Sequence, residues 1–154
     1  MARRGHGWVL LALAAMAVFA TGCRSFERDW AEARSGSWPP DPRGLSGAWT
    51  GTWRNTNNAH GGPLRAVLWR VDEGEYRARF HAVWGRRSGS FGTRLRGAWT
   101  NDVFVFDGRR RVLGVPIRTS GRATSDRLDS GYDSPLDRGT FMLGRPGAGL
   151  NPGR

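Results

Sequence analysis

The chain has 154 residues, with 24 lysines and arginines against 13 acidic residues, a formal charge of +11 and one cysteine. That length holds one small domain, and a single thiol excludes both a disulfide framework and a cysteine-rich zinc site. The core must rest on burial alone, and eight tryptophans and seven phenylalanines supply the apolar surface for it.

In chain order, the first segment sets Arg3 and Arg4 before an apolar run from Trp8 to Ala20, and ends on Ala20-Thr21-Gly22-Cys23. The run is shorter than the roughly 20 residues that a spanning helix needs. The segment resembles a bacterial lipoprotein signal, with small residues in a lipobox-like site ahead of the only cysteine. The resemblance implies that residues 1–22 form a removable signal peptide. Cys23 would then begin the mature protein, carrying a diacylglyceryl thioether and an N-acyl chain such as palmitate, and would hold a folded domain on a membrane surface. Arg24 stands where an aspartate favours inner-membrane retention in enterobacterial lipoproteins. The expected location is therefore the cell envelope, at the outer membrane and facing the periplasm.

Residues 23–44 read as a lipid-anchored tether, polar and rich in Ser, Gly and Pro, with one short helical stretch from Phe26 to Ala33 that puts Phe26 and Trp30 on one face, to lie on the membrane or the barrel. Residues 45–145 alternate apolar and polar side chains between closely spaced turn residues, the pattern of an all-β domain. Strands are expected at Trp49–Arg54, Leu64–Val71, Glu75–Trp84, Phe91–Thr100, Val103–Asp107, Val112–Arg118, Arg127–Tyr132 and Thr140–Arg145, with one turn at Asp107-Gly108. Most links are short enough to join antiparallel neighbours. Closing such an up-and-down meander removes both sheet edges, so a small eight-stranded antiparallel barrel is expected ahead of a sandwich. Residues 146–154, rich in Gly and Pro, read as a flexible tail.

Gly47-Ala48-Trp49 is similar to the opening of the calycins, the lipocalin-like barrels, whose first strand carries Gly-x-Trp. In that family a basic residue late in the barrel packs over the tryptophan ring. The resemblance implies that Gly47, Trp49 and Arg145 close one end here. Gly97-Ala98-Trp99-Thr100-Asn101 resembles the Gly-x-Trp-Thr-Asn opening of avidin-like calycins, without any other biotin-site pattern. The stretch from Gly47-x-Trp49-x-Gly51-x-Trp53 to Tyr132-x-Ser134-x-x-Asp137-x-Gly139-Thr140-Phe141 also looks like a group of small uncharacterised bacterial barrel proteins. These resemblances bear on architecture and imply no activity.

Candidate sites follow from residue chemistry. Trp49, Trp53, Tyr76, Phe80, Trp84 and Trp99 are the candidate lining of an interior cavity for a small apolar ligand, against the alternative that an eight-stranded barrel is filled by its own side chains. Arg109, Arg110 and Arg111, with Arg77, Arg79, Arg94 and Arg96, are candidates for an anion-binding face. All the basic residues are arginine, which also fits a GC-rich codon composition. An exported protein meets phospholipid head groups, lipopolysaccharide phosphates and cell-wall carboxylates first, so no nucleic-acid partner is expected.

Asp126, Asp129, Asp133 and Asp137 form the one acidic group, without a calcium-loop signature. His60 and His81 lack partners for a metal site. No nucleophile elbow, Ser-His-Asp order or phosphate loop is present, so neither enzyme activity nor a cofactor nor a metal is expected. The expected function is that of a lipid-anchored envelope barrel that binds a small apolar ligand or packs against envelope components. The alternative is an adaptor whose arginine face docks on an anionic envelope polymer or a protein partner.

Overall fold

Alternation of apolar and polar side chains carries through eight strands: β1 (Gly47–Asn55), β2 (Gly61–Asp72), β3 (Glu75–Trp84), β4 (Arg87–Thr100), β5 (Val103–Val112), β6 (Val115–Ala123), β7 (Arg127–Asp133) and β8 (Arg138–Gly144). Each pairs antiparallel with the next, and β8 returns to β1 from Thr50↔Gly144 to Asn55↔Gly139, which closes the barrel. The computed structural model describes residues 25–58, 60–112 and 114–147. The expected signal peptide, Cys23 and most of the expected tail lie outside the described residues.

The clearest alternation, in β3, shows why the sheet curls. Tyr76, Ala78 and Phe80 are sealed inside, while Arg77 faces water and Arg79 is half-buried. From the other strands, Trp49, Leu64, Leu68, Leu95, Phe104, Phe106, Leu128, Phe141 and Leu143 meet them in one core. Inward positions that would collide with a neighbouring strand are glycine. A Cβ on Gly51 would lie 1.9 Å from the Met142 carbonyl oxygen, and one on Gly97 would lie 2.0 Å from that of Val105. Glycine at these points lets the neighbouring backbone come close. With arginines outside and an apolar interior, the barrel inverts the arrangement of barrels whose outer wall faces lipid tails.

One end is closed. Asp41 accepts hydrogen bonds from the backbone N–H groups of Arg43, Leu45 and Ser46 and from the Ser46 hydroxyl. Burial alone would raise its carboxyl, but these donors outweigh that and hold it below the ordinary carboxylate range. The turn so formed drops Leu45 into the barrel mouth, where its carbonyl accepts from the Trp49 indole at 2.9 Å. Arg145 lies over the Trp49 ring, 3.9 Å from its centroid. The same guanidinium donates to the carbonyls of Ser125, Ser46, Ala48 and Gly44. Gly47 has a φ of 122°, and a Cβ there would press to 3.1 Å of the Arg145 guanidinium, so both conformation and space require glycine.

Two expectations change. Within the segment read as a tether, the expected helical stretch is helix α1 (residues 25–35), and of its two expected places it takes the barrel. Phe26 of α1 is fully buried and stacks on His81 at 5.1 Å. Glu27 and Asp29 pair with Arg65 and Arg79. The apolar pair Phe26 and Trp30 therefore covers the outer face of β2 and β3, so His81, on the expected wet face, is buried. The expected turn at Asp107-Gly108 is also absent: β5 runs on to Val112, and Gly114, just before β6, has a φ of 83°. Gly108 is glycine because β4 comes close, a Cβ there falling 2.7 Å from the Arg94 carbonyl oxygen.

Replacing Arg145 by Met keeps most of the volume over Trp49 but strands several inward carbonyls. The expected loss is about 2–4 kcal/mol of stability, read as a lowered midpoint in urea unfolding followed by tryptophan fluorescence. An unchanged midpoint would show that closure does not depend on this residue.

Candidate functional site

The opposite end carries the β1–β2, β3–β4 and β7–β8 hairpin loops. A cup of about 380 Å³ sits in it, with Trp53, Ala82, Trp84, Phe91, Ile117 and Phe141 among its apolar walls. Below it the cup meets the core: Phe91 and Phe141 of its lining pack on the buried Phe80 at 5.1 and 5.5 Å, while Tyr132 stacks on Phe141 at 5.0 Å. Trp84 stands at the lip with 42% of its surface exposed. Its indole rests on Gly89, where a Cβ would come within 2.9 Å of the ring. Trp53 is fixed by a hydrogen bond from its indole N–H to the Val83 carbonyl at 3.0 Å.

A polar cluster holds one side of the rim. Asp137 accepts from the Asn55 side-chain amide and, at 3.2 Å, from the Tyr132 hydroxyl. The Asn55 oxygen in turn accepts from the backbone N–H groups of Asn57 and Asn58, ordering the β1–β2 loop. Ser134 clamps the β7–β8 turn by accepting from the Asp137 N–H at 2.9 Å and donating to its carbonyl at 2.8 Å. Burial first, and then the Asp137 charge and hydrogen bond, push the Tyr132 phenol well above the ordinary tyrosine range. The imidazole of His60 lies on the same rim.

The structure divides the six expected cavity residues. Trp49, Tyr76 and Phe80 are sealed in the core, so they cannot line a cavity. Trp99 packs on Phe104 at 5.2 Å near the closed end, under the Arg43 guanidinium. Its indole N–H is buried without an acceptor. Only Trp53 and Trp84 reach the cup. Phe91, Ile117, Tyr132 and Phe141, which complete it, were missed as a site. They come from four different strands, β4, β6, β7 and β8, and a single strand's alternation does not reveal which residues of separate strands meet.

The acidic group is also dispersed. Asp126 and Asp129 bond to Thr124 and Arg127 at the closed end, while Asp133 and Asp137 belong to the open end. Among the described residues no three His, Cys, Asp or Glu side chains are grouped to hold a metal ion. Arg109, Arg110 and Arg111 do not share a face, because they alternate along β5. Arg110 reaches across to the Gly92 carbonyl and Arg111 donates to that of Gly114 at 3.1 Å.

The two tyrosines give a pH prediction. Both phenols are pushed up from 10.0, chiefly by burial and then by Asp41 for Tyr76 and Asp137 for Tyr132. The folded state thus binds these protons more tightly than the unfolded state. Their contribution to stability is complete below pH 10 and is lost as pH rises above it. Titration by tyrosinate absorbance should show neither phenol half-ionised at pH 10, and Asp137→Asn should bring one of the two down. Ordinary titration of both would contradict the buried geometry.

Compared with protein-family models, with curated proteins and with solved structures, the chain matches none of them.

Proposed function

We propose that this protein is a lipid-anchored barrel of the bacterial envelope, held through acylated Cys23, that binds the apolar portion of a small molecule in the open-end cup. The observation that carries the binding reading is the contrast between the two ends. One is plugged and bonded shut, while the other keeps an aromatic hollow with a large indole standing exposed at its lip. Leaving such a surface wet forfeits burial worth about 1.5–3 kcal/mol per large side chain, and an apolar guest recovers it. Asp137 is engaged by Asn55 and Tyr132 and holds the rim in shape, so the reading is binding rather than turnover.

The envelope reading rests on residues 1–23. It predicts that Cys23→Ser moves the protein from the membrane fraction to the soluble periplasm, checked by fractionation and by intact mass. A variant that stays in the membrane would overturn the anchor.

For the cup, a neutral apolar probe such as N-phenyl-1-naphthylamine should bind with little dependence on salt. Trp84→Ala should weaken it by about 1–2 kcal/mol, roughly five- to thirtyfold. The Val105→Ala change, at an exposed apolar residue of β5 outside the cup, should leave binding unchanged. Equal binding by all three proteins would remove the cup as the site.

A further inference from the structure

The barrel wall has a split. Strand β4 pairs with β5 only from Arg96↔Asp107 to Thr100↔Val103. Beyond that point residues 87–95 of β4 pair with β3 alone, and residues 108–112 of β5 pair with β6 alone. The two strands part toward the open end, and an open groove of about 830 Å³ runs along the seam, over Trp69, Gly92 and Asp107.

Six arginines line that groove: Arg77, Arg79, Arg94, Arg96, Arg109 and Arg110. Glu75 pairs with Arg94 and Arg96, at 3.0 and 2.9 Å, and Asp29 pairs with Arg79. Arg77, Arg109 and Arg110 have no carboxylate partner among the described residues. Arg110 is already fixed across the split by its bond to the Gly92 carbonyl. Arg109 also stands directly opposite Arg118 on β6, whose other cross-strand neighbour is Asp133 of β7, and Asp107 is the carboxylate in the groove lining, against six arginines.

We propose that this groove binds the phosphate head group of an anionic lipid in the membrane that carries the anchor. Two arguments select that source. The uncompensated charge is guanidinium, whose planar fork matches phosphate oxygens. The first described residue also sits beside the groove, because Arg79, on its wall, donates to the Ser25 hydroxyl at 2.7 Å. Cys23 is two residues before Ser25, and two residues of chain span at most about 7 Å. An acylated Cys23 therefore brings the lipid surface to the groove. The choice of lipid rests on the anchor reading, and a basic patch near an anionic leaflet gains attraction that decays within a Debye length.

The test uses the full chain purified from its own membrane into neutral maltoside micelles, with the anchor state read by intact mass on the same sample. Micelles doped with phosphatidylglycerol should give saturable binding that weakens at high salt. Phosphatidylcholine and inorganic phosphate should each bind at least tenfold more weakly. The pair Arg77→Gln with Arg109→Gln should lose tenfold or more at unchanged melting temperature, while Arg86→Gln with Arg87→Gln, in and beside the β3–β4 turn, should not. Equal binding of the two glycerolipids, equal binding of free phosphate, or full binding by the groove variant would each overturn the proposal. An unmodified Cys23 overturns the anchor reading alone when selective binding of phosphatidylglycerol persists.

Discussion

Everything in this molecule depends on β1 finding β8. Six residue pairs, Thr50 to Asn55 against Gly139 to Gly144, satisfy the last open edge of the meander. Without them, two rows of unpaired backbone groups would face water or another chain. The ends of the same two strands are tied together by Arg145, which covers the Trp49 ring and collects carbonyls from both the approach to β1 and the β6–β7 turn. Burial disfavours the Arg145 cation and pulls its pKa down, with Asp41 and Asp126 opposing that shift. A charge is tolerated there because its N–H groups are met by oxygens and its face by an indole.

Closure with a filled interior moves function to the ends and the wall. Tyr76 stacks edge-on against Phe104, Phe104 against Phe106, and Phe80 against Phe91 and Phe141. Little room is left for a guest in the middle of an eight-stranded barrel. The residual space is where the packing stops: a cup above the last aromatic layer, and the groove where β4 and β5 separate. Phe91 belongs to both linings, so one side chain stands between the apolar hollow and the arginine groove.

The N-terminal segment shows how neighbouring chemistry changes a reading. Its Ser, Gly and Pro content and its charges describe a solvated linker when taken alone. Against the barrel the charges become ion pairs, Glu27 with Arg65 and Asp29 with Arg79, and the two aromatic residues cover the otherwise exposed face around His81. Burial and the nearby Arg65 lower the pKa of that histidine, outweighing the opposing Glu27 charge. The same helix joins the expected anchor to the arginine groove, a relation that neither segment reveals by itself.

The sequence alone determined the strand count, the all-β class and most of the turns, because the alternation in β3 and pairs such as Asn101-Asp102 are local properties of the chain. Trp49 and Arg145 could be paired from a short resemblance, since a glycine, a ring and a late arginine leave a readable trace. Only the tertiary structure decided which indoles are core and which are surface: Trp49, Trp53, Trp84 and Trp99 all occupy inward phases, and what separates them is their height along the barrel axis. The tertiary structure also decided the course of β5, because Asp107-Gly108 has the composition of a turn and becomes strand by pairing with Ser120 and Thr119 of β6. Depth, register and the split between β4 and β5 arise from contacts between residues far apart in the chain, and such contacts leave no period for a linear reading to find.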